Sequence, residues 1–199
     1  MLIEVMVERE KEILRLISVS KTRDKGYEML ISDYQKPLYF FIRRMLLNHE
    51  DTNDVLQETF VRVFKGIDNF RGESKLGTWM HSIAYREALG HIQRNKRMLK
   101  GDWDGHILEN VKQLEEDAHY TGDEMQLRLQ AMVAALPEKQ RAVFVMKYYE
   151  EKKYTEIAAI TGTSVGALKA SFHHAVEKIK QDIQHNEMKV ELNAKENEE

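Results

Sequence analysis

Apolar and polar residues follow the 3.6-residue period of an α-helix through most of this chain. The pattern is clearest over residues 51–67, where one face is apolar and the other carries carboxylates and an amide in its first two turns. Asp51 is a good N-cap, and Asp54 three residues later gives the segment a start similar to a capping box. We therefore predict an amphipathic helix whose buried face consists of Val55, Leu56, Phe60, Val63, Phe64 and Ile67.

A glycine-containing loop and a second helix follow this segment. The loop is predicted over residues 69–78, with Gly72 and Gly77 where tight backbone is expected and Thr78 as the cap of the next helix. That helix is predicted to continue to Arg97 and to end in a basic segment. Its packed side is expected to hold Trp79, Met80, Ile83, Ala84, Ala88 and Ile92, and its other side His81, Arg86, Gln93, Arg94 and Arg97.

The rest of the chain is also predicted to be helical, so the fold class is all-α. Residues 9–33 predict one or two short amphipathic helices, and residues 38–47, apolar nearly all round, predict a central core helix that has Pro37 in its first turn. Residues 154–183 predict a helix-turn-helix, with Gly162 free to take a positive φ in the turn and Ser164 as the cap of the second helix.

The charges divide the chain into two basic blocks separated by an acidic segment. Residues 34–100 hold 12 Lys or Arg against 7 Asp or Glu, and residues 127–183 hold 9 against 6, whereas residues 101–126 hold 1 against 8. Basic blocks favour polyanions even when the net charge of the protein is −3. We predict two small helical domains, 10–100 and 127–183, joined by an acidic linker over 101–126 and followed by a flexible acidic tail over 184–199.

Several classes of chemistry are disfavoured by the composition. The chain has no cysteine, which excludes disulfides, thiolate catalysis and cysteine-based zinc sites. His173 and His174 are adjacent, so on a helix they point about 100° apart and do not easily share one metal ion. No phosphate-binding glycine loop with its lysine, no nucleophile elbow and no zinc-protease motif occurs. We expect a protein that is not an enzyme, with no metal and no cofactor.

Motifs from both halves resemble one protein family. The run DVLQETF, the triplet FRG, a TW pair and an IA pair follow one another over residues 54–88, and LPEKQR, YTEIA and SVGALK lie in the second half. Any one of them alone fits a plain helical hairpin with a solvated charged face. Together they resemble regions 2 and 4 of bacterial RNA polymerase sigma factors of the extracytoplasmic-function group, in family order and over most of residues 10–183.

The resemblance implies a subunit that binds core RNA polymerase, at the β′ clamp helices and the β flap, and directs it to promoter DNA. The residues in the polymerase-binding positions are Asp54, Gln57, Glu58 and Arg62. Those expected to meet the −10 element are Arg71, Lys75, Trp79, Arg86, Arg94 and Arg97. Those expected to meet the −35 element are Ser164, Lys169, Ala170, Ser171, His173, His174 and Lys178.

Two positions depart from the family pattern. Arg86 stands where an asparagine usually helps to hold a flipped −10 base, so the resemblance implies a changed base pocket there. The second helix of the helix-turn-helix carries Leu168 to Ser171 where VKSR is frequent, so one arginine that would contact the −35 region is missing.

The resemblance further implies a cytoplasmic bacterial protein, at the nucleoid when in holoenzyme, and an anti-sigma factor as a possible partner. Two other functions fit the sequence. One is a helix-turn-helix regulator that binds DNA without polymerase, and the other is a sigma-like mimic that sequesters an anti-sigma factor.

Overall fold

The described residues of the chain fold into α-helices, in agreement with the all-α prediction. The computed structural model describes the backbone of residues 2–99, 105, 107, 109–111 and 124–196, and no strand occurs in those ranges. Side chains are described for residues 7–99, for the same positions between 105 and 111, and for 125–185. The helices are α1 (Leu2–Ser18), α2 (Arg23–Leu46), α3 (His49–Gly66), α4 (Leu76–Met98), α5 (Glu124–Ala134), α6 (Glu138–Phe144), α7 (Tyr154–Thr161) and α8 (Val165–Glu196).

Helices α1 to α4 form the first domain around the long central helix α2. Its buried face carries Leu30, Leu38, Phe41, Ile42 and Met45, against which the other three helices pack. Pro37 lies inside α2 rather than in its first turn, so the predicted helix start is wrong. The proline side chain is exposed, and α2 continues through it because packing on both sides outweighs the missing backbone hydrogen bond.

The predicted caps of α3 and α4 are also wrong. The side chain of Asn48 caps α3 by accepting a hydrogen bond from the Asp51 amide at 3.0 Å, so Asp51 lies in the first turn. Asparagine is among the preferred N-cap residues, and Asp51 then places its negative charge near the positive end of the helix. Helix α4 begins at Leu76, which puts the expected cap, Thr78, inside the helix.

A carboxylate from α1 takes the place of a local cap on α4. Glu10 accepts hydrogen bonds from the amides of Leu76 and Gly77, at 3.2 and 3.3 Å, and from the Tyr34 hydroxyl at 2.8 Å. Burial and the bond to Glu10 raise the pKa of Tyr34, so its hydroxyl stays protonated and keeps donating. Glu10 therefore ties α1 and α2 to the start of α4.

Helices α5 to α8 form the second domain, and its predicted helix-turn-helix is confirmed in detail. Gly162 ends α7 at φ 69°, which L side chains rarely adopt. The Ser164 hydroxyl accepts a hydrogen bond from the Ala167 amide at 3.3 Å and so caps α8. A π-helical turn over Val145–Tyr149 follows α6, and Phe144 stacks on Phe172 of α8 with ring centroids 5.7 Å apart.

The predicted linker and tail are described only in part. Within 101–126, Ile107 and Val111 are buried and pack with Leu47 of the first domain and Ala134 of α5, whereas most of the linker, including Trp103, lies outside the described residues. Leu47 adopts φ 66° at the end of α2, an unfavourable conformation for leucine. Its burial in this cluster helps to offset that strain. Helix α8 extends to Glu196, through most of the segment that we expect to be a flexible tail.

The two domains are in direct contact and share one hydrophobic core. Helix α7 packs against α4, and residues of α6 and of the π-helical turn contact α2. The side chain of Arg141, 2% exposed, lies at this boundary. It donates to the carbonyl of Met45 in α2 at 2.7 Å and to the carbonyls of Ala134 and Leu136 in its own domain.

The carbonyl partners of Arg141 explain how a guanidinium is held inside the protein. Met45 and Ala134 lie in the last turns of α2 and α5, where backbone carbonyls lack helical partners and carry partial negative charge. Burial nevertheless lowers the pKa of Arg141 to about 10, which leaves the side chain charged at neutral pH.

No helix among the described residues is long and apolar enough to cross a membrane.

We expect Glu10→Gln to destabilise the protein by about 1 kcal/mol, because the change removes the charge that faces the N-terminus of α4 and one of two acceptor oxygens. The measurement is urea unfolding followed by circular dichroism. Glu12→Gln on the exposed side of α1 is the matched control and should stay within about 0.5 kcal/mol of the parent protein. Equal effects of the two changes would show that the carboxylate of Glu10 does not act as a cap.

Candidate functional site

The polar face of α3 is exposed to solvent along its length. Asp54, Gln57, Glu58 and Arg62 are all exposed, and the apolar residues of the same helix, apart from the exposed Val61, point into the core. Arg62 holds two carboxylates at once, with Nε 3.2 Å from Glu58 and 2.7 Å from Glu87 of α4. This face therefore presents charges of both signs in fixed positions, with little apolar surface.

A groove of about 330 Å³ lies between this face and α4. Three residues of α4 supply its far wall, namely Glu87, His91, whose Nε2 is 3.2 Å from the Asp51 carboxylate, and the exposed Arg94. The structure thus places Arg94, predicted for the −10 element, beside the residues predicted to bind polymerase. The groove is lined by Asp54, Val55, Glu58, Arg62, Glu87, His91 and Arg94.

A second surface of α4 carries three of the other predicted −10 residues. Trp79, Arg86 and Arg97 are spaced so that they lie within about 20° of one another around the helix, and both arginines are exposed. We call this line of side chains the α4 stripe. The ring of Trp79 is half-buried, 5.2 Å from the ring of Phe70, so it packs on its own domain at one edge of the stripe.

The loop before α4 contributes two more cations near the stripe. Arg71 is exposed and lies 3.8 Å from the Glu73 carboxylate, next to Gly72 at φ 70°. Lys75 lies directly before α4, and its ammonium is 3.8 Å from the carboxylate of Glu156 in α7. Exposed ion pairs at such distances contribute little to stability, so these cations can be redirected to a ligand.

His81 is buried, although the sequence pattern predicts it on the outer side of α4. Its Nδ1 is 3.0 Å from the Gly77 carbonyl, and its Nε2 is 3.4 Å from the carboxylate of Glu150 in the second domain. The side chain is 5% exposed because the second domain covers this face. A helical pattern within one domain carries no information about a face that a second domain covers.

In the second domain, the predicted −35 residues gather on the exposed side of α8. Lys169, Ala170, His173 and His174 are exposed and fall within an arc of about 140° around the helix. Leu168 and Ala175 turn inward to the core. The remaining three predicted residues lie outside this arc or are engaged in the fold. Lys178 lies about 40° beyond the arc. Ser171 is half-buried, and the hydroxyl of Ser164 caps the helix.

The described side chains include no cluster of three His, Cys, Asp or Glu that could hold a metal ion. Sequence reasoning missed Glu10, Glu150 and Arg141, whose partners lie 66, 69 and 96 positions away along the chain. No local pattern could have found these contacts. The nearest signal in the sequence is Arg141 itself, a single arginine in the helical segment that follows Pro137.

Two family models match the chain. The model for sigma-70 region 2 matches residues 30–98, and the model for sigma-70 region 4 matches residues 126–179. Together these matches span more than half of the 199 residues, and they contain the α3 face, the α4 stripe and the first half of α8 with its predicted −35 residues.

Curated relatives align over nearly their whole length. RNA polymerase sigma-H factor of Pseudomonas aeruginosa is 25% identical over 90% of this chain and 97% of its own length. The extracytoplasmic-function sigma factor SigW of Bacillus subtilis is 28% identical over 85% and 95%, and the sigma-E factor of Escherichia coli is 26% identical over 91% and 94%.

Solved structures share the fold at lower identity. The sigma factor RpoE of Bartonella quintana, in complex with the anti-sigma factor NepR, has a TM-score of 0.62 at 18% identity over 80% of this chain and 98% of its own. CnrH, in complex with the cytosolic domain of CnrY, has a TM-score of 0.63 at 17% identity over 89% and 98%. With both family models matched in order on this fold, the chain belongs to the sigma-70 family of RNA polymerase sigma factors, in its extracytoplasmic-function group.

Proposed function

We propose that this chain is the promoter-specificity subunit of a bacterial RNA polymerase. It binds core polymerase, directs it to promoters through the −10 and −35 elements, and does no chemistry of its own. The observation that carries this function is the presence of regions 2 and 4 in one chain, in family order. It acts in the cytoplasm, at the nucleoid when in holoenzyme.

The exposed face of α3 is the proposed docking surface for the β′ clamp helices. Asp54, Gln57, Glu58 and Arg62 occupy the family's polymerase-binding positions, and Arg62 is already oriented by Glu58 and Glu87. A surface whose charges are fixed before binding loses less side-chain entropy on association. We assign Arg94 to this surface as well, since it lines the same groove.

The α4 stripe and the loop before it are the proposed site for single-stranded −10 DNA. Arg86 and Arg97 point to solvent from one side of α4, and Arg71 and Lys75 extend the positive charge past its start. Flipping a base out of the duplex costs a few kcal/mol, which stacking and phosphate contacts must offset. Trp79 supplies a ring at the edge of the stripe, held in place by Phe70.

The exposed arc of α8 is the proposed reader of the −35 element in the major groove. Lys169 can donate to guanine O6 or N7, and Ala170 can contact a thymine methyl group. Lys178 lies outside the arc, at an angle that suits a phosphate contact. The β flap of core polymerase is the proposed tether of this domain, which would raise its effective concentration at the promoter.

One of the solved relatives is in complex with an anti-sigma factor. We include an anti-sigma factor among the proposed partners of this chain.

The function is tested by transcription with purified bacterial core polymerase on templates whose −10 and −35 elements are randomised. We expect transcripts only when this protein is added, and the transcribed templates should share one −10 sequence and one −35 sequence. DNA binding without any association with core would instead indicate a helix-turn-helix regulator. Binding of an anti-sigma factor with neither activity would indicate a sigma-like mimic.

We expect the double change Gln57→Ala and Glu58→Ala to weaken core binding by about 1–3 kcal/mol, or roughly 5-fold to 150-fold, because it truncates the centre of the α3 face. Affinity is measured by titration of labelled protein with core enzyme. Gln35→Ala with Glu28→Ala, on the exposed side of α2, is the control pair and should leave affinity unchanged. Equal affinity of both double variants would remove the α3 face from the docking surface.

We expect Arg86→Ala with Arg97→Ala to slow promoter opening, measured by the fluorescence of a base analogue in the −10 element. Each phosphate contact that is lost should also make the binding of single-stranded DNA less sensitive to salt. The slope of the logarithm of the binding constant against the logarithm of salt concentration should become shallower by about 0.7 for each arginine. Arg94→Ala is the contrast variant and should weaken core binding while opening by preformed holoenzyme stays unchanged. If promoter opening responds to Arg94→Ala and not to Arg86→Ala with Arg97→Ala, the roles assigned to the groove beside the α3 face and to the α4 stripe are reversed.

We expect Lys169→Ala to relax preference at one −35 base pair by about 1–3 kcal/mol, because the change removes a hydrogen bond to a base. Lys178→Ala should weaken use of every −35 sequence by a similar factor, because a phosphate carries no sequence information. Both variant holoenzymes are assayed on a set of single-base −35 variants. A uniform loss with Lys169→Ala would mean that Lys169 contacts the backbone and that the orientation of α8 is wrong.

A further inference from the structure

The residue at the N-cap position of α4 cannot cap this helix. Lys75 occupies that position, and its ammonium donates hydrogen bonds but accepts none. The hydroxyl of Ser74 donates to the Lys75 carbonyl at 3.3 Å, within the loop. The amides of Leu76 and Gly77 find their acceptor instead in the carboxylate of Glu10, more than 60 positions earlier in the chain. Helix α1 therefore supplies the cap that the local sequence lacks.

Tyr34 of α2 holds the carboxylate of Glu10 in this position. Its hydroxyl donates at 2.8 Å to Oε1, the oxygen that also accepts from the Gly77 amide. The ring of Tyr34 lies close to the start of α4, because a Cβ on Gly77 would come within 3.0 Å of a ring carbon. Glycine at position 77 permits this packing. The carboxylate thus receives donors from both α2 and α4, which fixes the first turn of α4 relative to α2.

The loop before α4 projects into solvent. We call residues 70–75 the −10 loop. Its first residue, Phe70, packs on Trp79 with ring centroids 5.2 Å apart, whereas residues 71–73 are exposed. A Cβ at Gly72 would meet no described atom within 4 Å. The shape of the middle of the loop therefore depends on how its two ends are held.

The two ends of the −10 loop are held with different strength. Before the loop, Asp68 pairs with Arg23 at 3.3 Å, but both side chains are more than one third exposed, and such pairs contribute little to stability. After the loop, the side chain of Leu76 is buried and its amide is bound by Glu10. The position of Lys75, the last residue of the loop, is therefore set mainly by the cap from α1.

The same carboxylate affects where DNA phosphates can bind. The N-terminus of a helix attracts anions, but at the start of α4 the carboxylate of Glu10 already occupies that position and repels a second anion. Phosphates of the −10 strand are left to the exposed cations Arg71 and Lys75, which belong to the loop itself. The position of the loop therefore determines both where the strand is bound and how much space a flipped base finds.

We propose that Glu10, together with Tyr34, sets which base the −10 loop accepts. Neither residue contacts DNA in this mechanism. Both are positioning residues that act through the amides of Leu76 and Gly77. The inference rests on the proposed function and adds that a helix outside the DNA-binding surface controls its selectivity. A loop that is held less firmly accommodates more than one base, and selectivity falls because it is a difference between the affinities of competing bases.

The test uses full-length Glu10→Gln and Tyr34→Phe proteins in holoenzyme with core polymerase. Templates carry single-base changes in the −10 or the −35 element, and selectivity is the ratio of transcription rates between the best and the next base. We expect Glu10→Gln to lower this ratio at one −10 position by about 3-fold to 10-fold, the effect that loss of a helix cap can produce. Tyr34→Phe keeps the ring and removes one donor, so its loss should be smaller.

The other functions of the holoenzyme should not respond to these changes. Neither Glu10 nor Tyr34 belongs to the α3 face or to the exposed arc of α8. The ratios at −35 positions and the affinity for core polymerase should therefore equal those of the parent protein.

A variant in the buried side of α1 controls for stability. Ile13 is fully buried and lies about one turn after Glu10. Ile13→Val removes one buried carbon, and its cost in stability is comparable to that of a lost cap. It leaves the hydrogen bonds at the start of α4 in place and should keep the −10 ratios of the parent protein.

Nuclear magnetic resonance of the backbone amides reports on the cap directly. The amide resonances of Leu76 and Gly77 should shift in Glu10→Gln and stay in place in Ile13→Val, because only the first change alters their acceptor. Unshifted resonances in Glu10→Gln would show that the cap is absent in solution, which overturns the inference.

The transcription outcomes separate the inference from the proposed function. If the parent protein never supports transcription with core polymerase, the proposed function is wrong and the inference falls with it. If the parent transcribes and Glu10→Gln lowers the use of every template by the same factor, the function stands and Glu10 does not set selectivity. An equal loss of the −10 ratio in Ile13→Val would show that any loosening of α1 has this effect, and it would also overturn the assignment.

Discussion

The burial of one guanidinium determines how the parts of this protein fit together. Arg141 is enclosed at the point where α2 and α5 end, and its two terminal nitrogens donate to carbonyls from both helices. A buried charge is costly without such hydrogen bonds, so displacements of either helix that break them are penalised. The strained Leu47 and its buried neighbours Ile107 and Val111 pack near the same helix ends, which adds apolar contact to the polar one.

The sides of helix α4 make different contacts because the two domains meet on this helix. One side forms the wall of the groove with Glu87, another carries the stripe with Arg86, and a third, which includes His81, faces the second domain. The apolar positions between them pack into the core. Little of its circumference is left to contact solvent alone, which is why a simple division into a buried and an exposed face describes it poorly.

The features that the sequence predicted correctly are those whose physics is local. Gly162 and Ser164 specify the turn between α7 and α8 through backbone freedom and a cap three residues away, and both are as expected. The predicted start at Pro37 failed because tertiary packing carried α2 through a residue that usually begins a helix. The role of Glu10 and the burial of His81 depend on residues far along the chain, and periodicity within one segment carries no information about them.

The capping of α4 by Glu10 bears on where this fold begins. The match to the region 2 family model starts at residue 30, beyond the whole of α1. Yet a carboxylate from α1 completes the first turn of α4, the helix that carries the stripe. The buried Ile13 and Ile17 of α1 also belong to the core. The start of the region 2 model and the start of the folding unit are therefore different places in this chain, and the relatives that align over 90% of its length match residues before 30 as well. A fragment cut at the first would expose the amides of Leu76 and Gly77 and one side of α2, however faithfully it preserved the shared motifs.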